Sequence, residues 1–194
     1  MDVGPGSSRA CQYNAAGMSI LKVARMGHPV LRTKTPTLER AAIKSAAIQK
    51  LIDDMMETMR EYHGIGLAAP QVHEGVRLFV AAIEAGDAGA DAAEADPIAL
   101  INPEITVVGT SVLEDWEGCL SIPNIRGRVP RARQVKVRAC DRTGARVEIS
   151  AHDFTARVLQ HEFDHLDGVL FVDRMKSFET LTFLDEYSRY WIKD

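Results

Sequence analysis

Between residues 45 and 62 the apolar side chains Ile48, Leu51, Ile52, Met55, Met56 and Met59 recur at steps of three and one. That spacing draws one stripe along an α-helix, with Ser45 ahead of it and Gly64 closing it. Methionine at helical spacing fills core gaps, so the stripe reads as packing rather than as a ligand groove. After "GIGLAAPQV" the period shortens. "VRLFVAAI" (76–83), "IALINPEITVVG" and "TSVLEDW" are apolar and β-branched and read as strands. "QVKVRACDRTGARVEISA" alternates on both sides of a turn at Asp141 to Gly144, which predicts a hairpin with its charged face toward water. A second helix opens near Asp153 as N-cap, presents Phe154, Val158, Leu159 and Leu166, and ends at Asp167 and Gly168. A last amphipathic helix is expected from about Ser177 toward the C-terminus. The expected fold is α+β: mainly antiparallel strands around a central helix, with an N-terminal and a C-terminal helix beside them.

Composition narrows the class. A chain of 194 residues suits one domain, expected over 18–194 and preceded by a flexible leader at 1–17. The leader has no apolar h-region and no dense cationic start, which argues against a secretory signal. Residues 84–96, rich in Ala, Gly and acid, read as a solvated loop. A formal charge of −4 does not advertise a nucleic-acid binder, and no apolar run approaches bilayer length. The three cysteines, Cys11, Cys119 and Cys140, are odd in number and widely spaced, which argues for a reducing compartment over a disulfide scaffold.

The chemistry concentrates in "LQHEFDHLDGVL" (159–170), where His161 and His165 stand four apart with Glu162 beside the first. Side chains four apart share a helix face, so both imidazoles can reach one ion. A catalytic site of this kind usually takes a third protein ligand and keeps one position open. The extended H-E-x-x-H-x-x-G-x-x-H pattern is closed, because its last position is Phe171. Two candidates remain: Glu186 in the last helix, which would make a zinc endopeptidase, and Cys119 in "EDWEGCLSIPNIRGRVPR". Glycine beside Cys119 suggests a strand with close backbone approach. Glu186 stays open on spacing alone, and chemistry leaves Cys119 about even between a ligand and a buried small hydrophobe.

Three stretches in order, "GIGLAAPQ" at 64–71, "EGCLS" at 117–121 and "QHEFDH" at 160–165, resemble the three motifs of the peptide deformylases. Supporting similarity runs from "HPVLR" through "INPEI" to "HLDGVLF". The resemblance implies a hydrolase that removes the formyl group from nascent N-formylmethionyl peptides, with Cys119, His161 and His165 holding one divalent metal ion. It implies Fe(II), with zinc, nickel or cobalt as other occupants, and a thiolate with imidazoles suits these ions. Metal-bound water would be the nucleophile, Glu162 the general base and then acid, and Gln71 with the Leu120 backbone N–H the oxyanion donors.

The resemblance further assigns Gly64, Ile65, Gly66, Glu117, Gly118, Arg126, Phe154 and Val158 to substrate binding. The glycines would let a peptide approach, and Ile65, Phe154 and Val158 would line a methionine pocket, with a plain core role equally open for the last two. Glu117 and Arg126 would fix the strand of Cys119, or Arg126 would contact the peptide. Arg157 stands where an apolar rim residue is expected. The remaining histidines, His28, His63, His73 and His152, read as surface or structural. Formylated substrates imply bacterial-type translation, hence the cytoplasm or, second, an organelle, and the resemblance implies a passing contact with the ribosome; no membrane and no sequence-specific nucleic acid are expected. Monomer and homodimer both stay open.

Overall fold

The computed structural model describes residues 17–83 and 96–192. The expected leader, apart from Gly17, and the expected acidic loop, apart from Asp96, lie outside the described residues. Helix α1 (Ala46–Glu61) forms where the apolar stripe predicts it, with the Ser45 hydroxyl accepting from the Ile48 N–H as N-cap. Its close differs from expectation: His63 takes the left-handed conformation at φ 52°, and the Gly64 N–H returns to the Met59 carbonyl at 2.8 Å.

The strands β1 (Gly66–Ala68), β2 (Leu78–Ala81), β3 (Ile98–Val107), β6 (Gln134–Cys140) and β7 (Arg146–His152) make a five-stranded sheet in the order β1-β2-β3-β6-β7. β4 (Val112–Cys119), β5 (Ile122–Ala132) and β8 (Thr182–Phe183) make a second, three-stranded sheet. Every pairing among the described residues is antiparallel. The predicted hairpin is β6–β7, with Gly144 at φ 80° in its turn.

β2 explains how the layers stack. All four of its residues are buried, and alternation sends Leu78 and Val80 to one face, Phe79 and Ala81 to the other. On the first face they meet Ile52, Met55 and Met59 of α1. On the second they meet Ala156, Val158 and Leu159 of α2 (Asp153–Leu166), so the sheet is covered by one helix on each side. A third cluster joins Leu31, Cys119, Ile122, Val129, Leu170 and Phe171 between the second sheet and the end of α2. Fully burying such side chains contributes roughly 1.5–3 kcal/mol each. The helix with the histidines is therefore wedged between two sheets.

Two expectations about helix ends need correction. The N-cap of α2 is His152, and Asp153 is the first helical residue, turned at φ 45° so that β7 runs straight into the helix. The single C-terminal helix is replaced by a short turn at Phe178–Thr180, strand β8, and α4 (Leu184–Tyr190). The edge of β5 offers unpaired backbone there, and Thr182 and Phe183 take it up in pairing with Arg126 and Ile125. A further short helix, α3 (Phe171–Arg174), follows the glycine turn of α2.

Gly168 holds that turn. Its φ is +74°, and a Cβ there would stand 2.7 Å from the Arg32 carbonyl carbon, a backbone atom that cannot swing aside. Gly168→Ala should cost about 1–3 kcal/mol, read as a lower urea midpoint at unchanged slope.

Candidate metal centre

Three elements bring the site together. Cys119 ends β4, where a register shift between Glu117 and Cys119 breaks the ladder before Cys119 pairs with Ile122 across a tight turn. Gly118 makes that bulge possible: a Cβ would fall 1.9 Å from the Arg126 guanidinium. His161 and His165 come from successive turns of α2, with ring centroids 4.9 Å apart. Gln71 comes from the 3-10 turn Ala69–Val72 that follows β1.

The ligand atoms of Cys119, His161 and His165 all lie within 4.8 Å of one another, and all three residues are buried. The Cys119 thiol stands 3.3 Å from His165 Nε2. Sulfur at 2.3 Å and nitrogen at 2.0–2.1 Å from a tetrahedral ion would be roughly 3.6 Å apart, so the donors are spaced for one small cation. Burial opposes ionisation of the thiol, but His165 and His161 beside it overcome that and hold it well below its ordinary value. A thiolate is the form that binds metal. The fit is good. Glu186, the other candidate ligand, is on α4, half exposed and paired with Arg189, and it is not part of this cluster.

Behind the ligands lies a buried charged network. His161 Nδ1 donates to Glu117 Oε2 at 2.8 Å, which fixes the tautomer and turns Nε2 toward the thiol. Arg131 donates to both Glu117 oxygens, at 2.9 and 3.0 Å, and to Asp164 at 2.5 Å. Arg174 closes on Asp164 from the other side at 2.6 Å. Burial would raise the Glu117 carboxyl, yet the bonds from His161 and Arg131 hold it far below the usual carboxylate range.

Arg157, expected at an apolar rim, is only 4% exposed. It donates to Glu117 Oε1 at 2.7 Å and to the Val129 and Leu113 carbonyls at 2.8 and 2.7 Å. Its charge is spent on β4 and β5. Arg131, Asp164 and Ser121 had no assigned role in the sequence reading. Asp164 sits inside the H-E-x-D-H pattern and could have been suspected, whereas nothing local marks Arg131.

Glu162 points its carboxyl inward beside the cluster. Burial pushes it up to about 7, against the pull of His161 and His165. Its Oε2 is buried with no hydrogen-bond partner among the described residues, as is His165 Nδ1. Gly66 leaves room for this carboxyl, since a Cβ there would be 2.3 Å from Glu162 Oε1. The sequence reading gave that glycine to the substrate; its immediate neighbour is Glu162. Gln71 is 1% exposed. Its Oε1 accepts from the Ala68 N–H at 2.8 Å, so its NH2 must face Cys119 Sγ, at 3.4 Å, and Ser121 Oγ, at 3.3 Å.

A cleft of about 680 Å³ opens onto these groups. Its wall includes Ile65, Phe154 and Val158, and also Gly66, Leu120 and Arg126. Glu117 and Gly118 border it as well, although both Glu117 oxygens are engaged by the network. Gly64 is not in the wall; a Cβ there would press on the Leu120 side chain at 3.1 Å. His63 does line the cleft, while His28 and His73 pack edge to face and His152 meets Gln134.

Replacing Glu117 by Gln keeps the shape and removes the charge that faces two guanidinium groups. Glu117→Gln should weaken metal binding about ten- to a hundredfold, measured by competition with a chelator.

A family model described as "Polypeptide deformylase" matches residues 20–180. The chain is 46% identical over 158 residues to Peptide deformylase 2 of Nostoc sp., covering 81% of this chain and 87% of that protein. It is 44% identical to the peptide deformylase of Salinibacter ruber, over 82% of each chain. The Met-Ala-Ser-bound class I type b peptide deformylase of Acinetobacter baumannii superposes with a TM-score of 0.75 at 37% identity, over 82% of this chain and 100% of that one. The Thermotoga maritima peptide deformylase gives 0.71 at 38% identity, over 82% and 99%. With a shared sequence that spans most of its length and a fold to match, the chain belongs to the polypeptide deformylase family and is an enzyme of that kind.

Proposed function

We propose that this chain hydrolyses the N-formyl group of formylmethionyl peptides with a divalent ion held by Cys119, His161 and His165. The observation that carries the reading is the buried Cys–His–His cluster with the unpartnered Glu162 carboxyl beside it at the floor of a cleft. A bound ion would acidify a water molecule and polarise the formyl oxygen. Thiolate and imidazole donors suit Fe(II), the expected ion, and also admit zinc, nickel or cobalt.

The chain's own residues account for the remaining work. Glu162 takes the proton of the attacking water at its carboxyl and returns it to the departing amine. The water oxygen bonds to the formyl carbon, the carbon–nitrogen bond breaks, and formate and a free N-terminal methionine result. Charge that gathers on the formyl oxygen meets the Gln71 NH2, whose direction Ala68 fixes, and the Leu120 backbone N–H at the turn after Cys119. Ile65, Phe154 and Val158 offer the methionine side chain an apolar wall. The relative crystallised with Met-Ala-Ser, a methionine-first tripeptide, supports that class of ligand. Beyond the first side chain, main-chain pairing would tolerate many nascent sequences. No described helix is long and apolar enough to cross a membrane, and a formylated substrate would place the enzyme in the cytoplasm.

Anaerobically purified protein loaded with Fe(II) or nickel should release formate from formyl-Met-Ala-Ser; no release with either ion would reject the activity. Cys119→Ala should lose the metal, whereas Glu162→Gln should keep it and lose about 10²–10⁴ in kcat, both read by metal content alongside turnover. Gly66→Ala should also keep the metal yet depress kcat, because the added methyl displaces Glu162. Near-normal turnover in that variant would show that the carboxyl has another place to act from.

A further inference from the structure

The family model matches as far as residue 180, and the wall of the cleft runs past it. Leu184, the first residue of α4, lines it. So does Trp116 of β4, and α4 and its C-cap hold that indole from behind. The Tyr187 ring packs on Trp116 at 4.9 Å and the Trp191 ring at 5.2 Å between centroids. The segment is anchored through β8, which pairs Thr182 and Phe183 with Arg126 and Ile125 of β5.

Position on the strand sets which part of a peptide would meet this wall. Trp116 precedes Cys119 by three residues on β4, a step of roughly 10 Å along an extended backbone. Two or three residues of extended peptide cover that distance. An indole clamped by two rings has lost its rotamer freedom before a ligand arrives, so contact with it costs little further ordering.

We propose that residues 184–191 and Trp116 form a substrate-selecting wall that favours an aromatic or large aliphatic side chain at the second or third position of the peptide. This rests on the formyl-peptide reading for its substrate class. The wall itself is readable without turnover, because the chain's two tryptophans, Trp116 and Trp191, both belong to it.

The experiment titrates the metal-loaded full chain with Met-Ala-Ser, Met-Phe-Ser and Met-Ala-Phe, following tryptophan fluorescence. At least one phenylalanine peptide should bind about three- to tenfold tighter than Met-Ala-Ser. Leu184→Ala, and separately Tyr187→Ala, should bring that ratio close to one, and Leu184→Met should restore it. Thermal melts establish that each variant is folded. Equal affinities in the intact protein, an unchanged ratio in both alanine variants, or no fluorescence response to any tripeptide would overturn the wall. Failure of formate release with the tripeptide preference intact would reject the activity and leave the wall standing. Release without preference would do the reverse.

Discussion

The bond from His161 to Glu117 is the constraint on which the rest of the site depends. It ties the helix with the histidines to the strand with the cysteine, two elements about forty residues apart in the chain. Arg131 and Arg157 hold the carboxylate in place from two more directions, and Asp164 and Arg174 extend the network along α2 and α3. Buried ion pairs of this sort are a poor source of stability, since desolvation offsets much of their attraction. What they supply is geometry. Losing one partner leaves an uncompensated charge in the interior, so only one arrangement of β4 against α2 is tolerated.

That rigidity suits a candidate ligand set drawn from separate elements. A thiol 3.3 Å from an imidazole nitrogen has little latitude before an ion no longer fits between them. The glycines serve the same end. Gly118 admits the Arg126 guanidinium beside β4, and Gly66 admits the Glu162 carboxyl beneath β1. In both places a single methyl group would collide with a long polar side chain. Small residues therefore mark where the protein packs its own charged groups close to backbone, as much as where a substrate approaches.

The two faces of the central sheet have different tasks. The α1 face is an apolar layer that includes Ile, Leu, Met and Val and joins α1 to β1 and β2. The α2 face starts apolar at Leu159 and Val158 and becomes polar toward His161, Glu162 and Asp164. The same helix thus packs as core on one side and presents chemistry on the other. The C-terminal segment completes the outer wall by pairing with β5, an edge that would otherwise be open.

Local pattern was enough for much of this protein. The methionine stripe of α1, the β6–β7 hairpin with its Gly144 turn, and the pairing of His161 with His165 on one helix face all follow from periodicities of two and 3.6, which depend only on neighbours in the chain. The three motifs were likewise legible as residues. Their assembly was not. Whether Cys119 or Glu186 joined the histidines turned on which strand or helix folds back over α2, a long-range question that spacing cannot answer, and the tertiary structure brings in the thiol. Arg131 looks like an ordinary surface cation in sequence and Arg157 like a misfit at an apolar rim, because nothing within a few residues announces the buried carboxylates they meet. The last helix is shorter than its pattern predicts for a related reason: the edge of β5 takes up Thr182 and Phe183 as a strand. Sequence determined which residues are candidates for the chemistry, because residue type and local spacing depend only on the chain; the packing of two sheets around one helix decided which of them touch.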